Sequence, residues 1–265
     1  MSRAFRLTIG LALAVGIGCG ASSVAAQSNA YPKMAPIGQY LMDRDAEIQL
    51  ARSAAPVSIS RDATVLVLGR QGYETAVQGR NGFVCMVDRG FMAAFDWPEF
   101  WNPKVRAAGC LNPQAARAIV PIALLRSRMV MAGRSRADVL SAVKAAYANG
   151  QLPALESGAM CYMMSKSAYL TDQGGHGLPH VMFYTAGMDA EDWGSGAAGS
   201  PVMSAPYWFF SPTEPSQMKG LPAILVFLVM VPDWSDGRPS GTHDGCGPTV
   251  CGVDPRSPRT RHPSR

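Results

Sequence analysis

The stretch Thr64-Val65-Leu66-Val67-Leu68-Gly69-Arg70-Gln71-Gly72-Tyr73-Glu74-Thr75-Ala76-Val77 decides the fold class of this chain. Thr64 to Leu68 is β-branched and aliphatic, which favours extended backbone, and Gly69 to Gly72 supplies turn residues. Tyr73 to Val77 reads as a second strand. Gly79-Arg80-Asn81-Gly82 follows, and its Asn-Gly pair is a hairpin signal ahead of a third strand at Phe83 to Val87. The expectation is a three-strand meander.

Helical patterns lie on either side. Ile37 to Ala55 reads as one amphipathic helix ended by Pro56. Ile37, Tyr40, Leu41, Ile48 and Ala51 form its apolar stripe, and Asp43, Arg44, Asp45 and Glu47 its solvated side. Asn112-Pro113 is an N-cap followed by proline at the first helical position. It opens a helix to about Gly133, with a kink or break expected at Pro121. Ser135 and Asp138 have capping-box spacing, and the helix they open stops at Asn149-Gly150. Ala159 to Ser165, His180 to Thr185 and Tyr207 to Ser211 are short strand candidates, and Gly187 to Pro206 reads as a loop. Ala223 to Val231 is a continuous apolar run, which predicts a central strand buried on both faces and too short to span a bilayer. Together these elements predict a single α+β domain, a mostly antiparallel sheet of about six strands flanked by three or four helices.

The chain ends read differently. Arg3 and Arg6 precede the apolar run Leu7 to Gly18, and Val24-Ala25-Ala26 offers a small-residue cleavage site. Residues 1–26 are therefore expected to be a signal peptide, with the mature protein starting at Gln27 in the periplasm or outside the cell. Lipidation at Cys19 is the alternative. It is disfavoured because Gly16 stands where a lipoprotein site wants leucine. The globular domain is expected over residues 27–237. Beyond Gly237 the composition turns to Pro, Gly, Arg, Ser and Thr, which predicts a disordered tail over residues 238–265. The net charge of +5 comes from the two ends of the chain, so the body is close to neutral. A nucleic-acid binder carries its positive charge on the folded body, so no nucleic-acid partner is expected.

Five cysteines follow the expected cleavage site: Cys85, Cys110, Cys161, Cys246 and Cys251. In an exported protein pairing is the default, and the odd number leaves one thiol over. Of the three in the body, at most two can pair within the chain.

Four stretches resemble a family of secreted bacterial proteins of uncharacterised function. They are Gly79-Arg80-Asn81-Gly82-Phe83-Val84-Cys85, Pro98-Glu99-Phe100-Trp101-Asn102-Pro103, Gly158-Ala159-Met160-Cys161-Tyr162-Met163-Met164-Ser165-Lys166 and Trp234-Ser235-Asp236-Gly237. The resemblance covers about Ala35 to Gly237. It implies export and one compact domain and brings no catalytic residue with it.

Two constellations could carry chemistry. His176 and His180, with three residues between them, could join Cys161 across an antiparallel pair as metal ligands. Met160, Met163, Met164 and Met182 nearby complete a thioether, thiol and imidazole set that suits copper. Against this, the histidines sit on a Gly/Pro loop and methionine commonly fills cores. Alternatively, Cys110 ahead of the Pro113 helix could be a nucleophile with His180 as its base, a layout faintly similar to NlpC-type cell-wall peptidases. A disulfide from Cys110 to Cys85 or Cys161 is the simpler reading. The aromatics Phe91, Phe95, Trp97, Phe100 and Trp101 are expected to bury their rings, with a ligand platform as the alternative. The leading functional expectation is a non-catalytic exported binding or structural domain. Its ligand would be a small molecule or a cell-envelope component, held in a cleft lined from Phe91 to Trp101. The alternative is a metal-binding protein or thiol/His hydrolase. No cofactor is identifiable from the sequence.

Overall fold

A computed structural model describes residues 30–187, 191–194, 203–206 and 219–241. The expected signal peptide, Cys19, Cys246, Cys251, the strand candidate Tyr207 to Ser211 and the tail beyond Gly241 lie outside the described residues. The fold is α+β. Among the described residues four helices, α1 (Arg44–Arg52), α2 (Val57–Ser60), α3 (Pro113–Met131) and α4 (Arg136–Ala148), pack on one sheet. Its eight strands are β1 (Thr64–Gly69), β2 (Gly72–Val77), β3 (Val84–Asp88), β4 (Ala107–Leu111), β5 (Met160–Met163), β6 (His180–Ala186), β7 (Met203–Pro206) and β8 (Ile224–Met230). Their order across the sheet is β2-β1-β3-β4-β5-β6-β8-β7. Every pairing is antiparallel except β1 with β3.

That parallel pair corrects the expected meander. β3 lies on the far side of β1 from β2, so the Asn-Gly segment is a crossover and not a two-residue hairpin. Asn81 explains why. Its Nδ2 donates to the Ile59 carbonyl at 2.8 Å and its Oδ1 accepts from the Phe83 N–H at 3.1 Å, so its side chain ties the loop to α2. The Arg80 and Asn81 amides both donate to the Asp62 carbonyl. The loop thereby crosses the backbone that leads into β1, and Gly79 sits at the crossing. A Cβ there would lie 2.1 Å from the Thr64 nitrogen, so only glycine fits.

The helix ends follow the sequence closely. Asn112 accepts from the Ala115 N–H, Ser135 and Asp138 form a reciprocal capping box, and α3 runs unbroken through Pro121. The first helix is shorter than its pattern predicts. Ile37–Tyr40 is a separate 3-10 turn, and Asp43 caps α1 by accepting from the Ala46 N–H. Glu47 therefore turns inward instead of to solvent. Its Oε1 accepts from the Leu68 N–H at 3.0 Å and lies 2.9 Å from Nη2 of Arg89, and both side chains are almost wholly buried. The Nη2 hydrogens are not aligned on that oxygen, so the contact is mainly coulombic. Arg89 also donates to the Tyr40 and Val87 carbonyls.

Two apolar layers sandwich the sheet. Leu66, Met86, Leu111, Cys161, Met182, Tyr184 and Val226 pack beneath α3 and α4. Val65, Cys85, Val87, Ala108 and Cys110 pack with the α1 side on the opposite face. That second layer centres on β1, β3 and β4 and reaches Val77 of β2 and Tyr162 of β5 but no residue of β8, which corrects the reading of β8. Its first half is buried, but Val229 and Met230 are exposed, as is Phe183 opposite Phe227. The aromatic segment buries Phe91, Phe95, Phe100 and Trp101. Arg126 of α3 clamps it, donating to the Phe91 and Ala93 carbonyls with its guanidinium 4.2 Å from the Phe95 ring centre. Asp233 bridges Pro239, so Arg238 to Ser240 form the return arm of a small hairpin around Trp234. Among the described residues no helix is long and apolar enough to cross a membrane.

Candidate functional site

The two sequence-level constellations separate in space. Cys85 and Cys110 sit directly opposite each other on β3 and β4 and form a disulfide beneath α1. Cys110 therefore has no thiol and cannot be the nucleophile. Adjacent strand positions point to opposite faces, which leaves Cys161, opposite Leu111, on the α3 side and outside the bridge. Burial pushes its thiol up to about 12, and the nearby Asp88 carboxylate adds to the rise. Such a thiol carries almost no thiolate at neutral pH.

The register sets Met163, not Cys161, opposite His180, while Cys161 faces Met182. His176 and His180 line one small pocket with Ala108, Met163, Ser165, Ala168 and Leu170. Their Nδ1 atoms bond to the carbonyls of Gly177 and Leu178 respectively. A carbonyl only accepts, so Nδ1 carries the proton in both rings. The His176 ring also stands edge-on to Trp234, 5.0 Å between centres. Burial lowers the His180 pKa, and its bond to Leu178 offsets part of the fall. Among the described residues no three His, Cys, Asp or Glu side chains gather as a metal ion would need, so Cys161 does not complete a set with the two histidines.

A larger cleft than the histidine pocket lies elsewhere. Ala30, Tyr31, Trp97, Pro98, Glu99, Thr171, Asp172 and Gln173 line an open depression of about 330 Å³. That is within the size range of small-molecule sites. Trp97, Pro98 and Glu99 come from the aromatic segment, whose other rings are spent in the core. Asp172 organises the opposite wall. Tyr31 and Tyr169 each donate a hydroxyl to it at 2.6 Å, Asn102 donates from Nδ2 at 3.1 Å, and Lys104 pairs with it at 2.6 Å. Lys104, then the two tyrosine hydroxyls, hold the Asp172 carboxyl well below the usual carboxylate range. Asp172 in turn raises the Lys104 pKa. Glu99 accepts from Asn102 at 2.7 Å and from the Asp172 amide, which locks the two walls together.

The wall formed by Tyr31, Lys104, Thr171, Asp172 and Gln173 is not marked in the sequence. Tyr31 is about 140 residues from Asp172, and only tertiary contact joins them. Comparison of the chain with protein-family models, curated proteins and solved structures finds no match.

Proposed function

We propose that this protein is an exported, non-catalytic domain that binds a small polyhydroxylated ligand of the cell envelope in the Trp97–Gln173 cleft. The observation that carries this reading is the composition of the cleft. The rings of Trp97 and Tyr31 offer apolar faces for stacking, and Glu99, Gln173 and Thr171 offer acceptors and donors for hydroxyl groups. The wall is fixed before a ligand arrives, because Asp172 is held by four side chains, and a preorganised wall lowers the ordering cost of binding.

The non-catalytic part is supported by the fate of the candidate nucleophiles: Cys110 is consumed in a disulfide and the Cys161 thiol is buried and protonated. The exported part is supported by the same disulfide, since such bonds persist in oxidising compartments.

The test is calorimetric titration of the mature protein with a β-1,4-linked N-acetylglucosamine trisaccharide, a soluble stand-in for an envelope glycan. Binding is expected, with a change in tryptophan fluorescence, and Trp97→Ala is expected to weaken it at least about tenfold through the lost stacking surface. Absence of binding, or binding indifferent to Trp97→Ala, overturns the reading.

A further inference from the structure

Beneath α3, a small and partly enclosed cavity of about 10 Å³ is lined by Met86, Asp88, Gly109, Leu111, Ile119, Cys161, Met163, Met182 and Tyr184. Four of these side chains end in or contain sulfur, and they come from three strands. The β3–β4 register sets Met86 beside Gly109, and the β4–β5 register, continued by one residue, sets Gly109 beside Met163. Cys161 and Met182 are directly paired in the next row. Gly109 opens the space between the rows, since a Cβ there would lie 3.2 Å from Cys161 Sγ. We propose that Met86, Met163, Met182 and Cys161 form a binding site for one soft monovalent cation, Cu(I), over Gly109.

Three features of the cavity support the assignment. Methionine is unbranched and flexible, and in an ordinary core it moves to fill gaps. Here three methionines and a thiol surround a space about the size of one water molecule, which admits a single ion. The donor set is thioether and thiol, which selects Cu(I) over the harder divalent ions. Asp88 lines the same cavity, and its Oδ1 is buried with no hydrogen-bond partner. A buried acceptor left without a partner is costly, and a cation among the sulfurs would offset that cost electrostatically. Met163 is only half-buried and also lines the His176–His180 pocket, which gives the ion a way in from the surface. Binding transfers no electron: Cu(I) enters as Cu(I), and any proton displaced from Cys161 goes to solvent. The site is independent of the Trp97 cleft, so either proposal can fail without the other.

The test is anaerobic titration of the mature, disulfide-intact protein with Cu(I), in competition with the chromophoric chelator bathocuproine disulfonate. One equivalent per chain is expected, with sulfur the dominant neighbour in copper X-ray absorption and no comparable uptake of Zn(II). Met163→Leu with Met182→Leu conserves core volume, so the fold should persist, which circular dichroism checks. That double variant and Cys161→Ala should each weaken Cu(I) binding at least about tenfold, and Asp88→Asn should weaken it less. His176→Ala with His180→Ala should leave the affinity within about twofold, because imidazole is not in the set. The proposal is overturned if the protein does not compete with the chelator. It is also overturned if the folded Met163→Leu/Met182→Leu variant binds as the parent does, or if only the histidine variant loses the ion.

Discussion

Replacing Glu47 by alanine takes away the carboxylate that faces Arg89 in the interior, where the two side chains are 1% and 0% exposed. It also strips the Leu68 N–H in β1 of its acceptor. Removing one member of a buried ion pair costs about 3–5 kcal/mol, because the remaining charge stays buried without its partner. For a domain of this size that corresponds to a fall in Tm of roughly 6–20 °C. Urea unfolding at pH 7, followed by circular dichroism, measures it. The midpoint should drop while the slope stays constant. Asp45→Ala, two residues away on the same helix but exposed, is the control and should cost at most about 1 kcal/mol through the helix dipole. Glu47→Leu combined with Arg89→Met should recover part of the loss, since both charges are gone and Tyr73 still donates to the Val87 carbonyl. The recovery is incomplete because the Tyr40 carbonyl loses its donor. If Glu47→Ala and Asp45→Ala destabilise equally, Glu47 lies on a solvated helix face and the packing of α1 described above is wrong.

Gly79→Ala should destabilise by about 3 kcal/mol or more, read by the same unfolding curve, because its Cβ meets the fixed backbone of Ala63 and Thr64. Removing the disulfide as Cys85→Ala with Cys110→Ala should cost about 3.5 kcal/mol from the loop-entropy relation for a separation of 25 residues, and reducing agent should have no further effect on that variant. The folded pKa of Asp172 is depressed, so its stabilising contribution is complete above its unfolded value of about 4 and is lost as pH falls from there toward the folded value. Proton NMR of Tyr31 and Tyr169 in the folded protein should show their environments constant through the ordinary carboxylate range near about pH 4 and changing only well below it, and that change should be absent in Asp172→Asn.

The local grammar of this chain is legible without a structure. Asn112-Pro113 and Ser135 to Asp138 specify helix starts because a capping side chain acts within three residues, and β1, β2, β3 and β6 announce themselves by their β-branched, aliphatic and aromatic residues. These elements suffice for the α+β class and for sites of secondary structure within a residue or two. Cys85 and Cys110 were readable as a possible pair, but not as the chosen one, because Cys161 has the same chemistry and differs only in which face of the sheet its register assigns it.

What tertiary structure alone decided are the long-range relations. Asn-Gly reads as a tight hairpin until Asn81 is seen bonded to Ile59, which turns the segment into a crossover and puts β3 on the other side of β1. Glu47 reads as a solvated acid until Asp43 starts the helix late and rotates it toward Arg89. His180 and Cys161 lie on neighbouring strands as expected, yet a register offset of two residues sets the histidine beside Met163 and the cysteine beside Met182. The cleft wall around Asp172 joins side chains far apart in sequence. Capping, turn and strand signals act over a few residues, so one chain carries them openly. Register, face and long-range contact depend on how distant segments pack, and the sequence records those only in three dimensions.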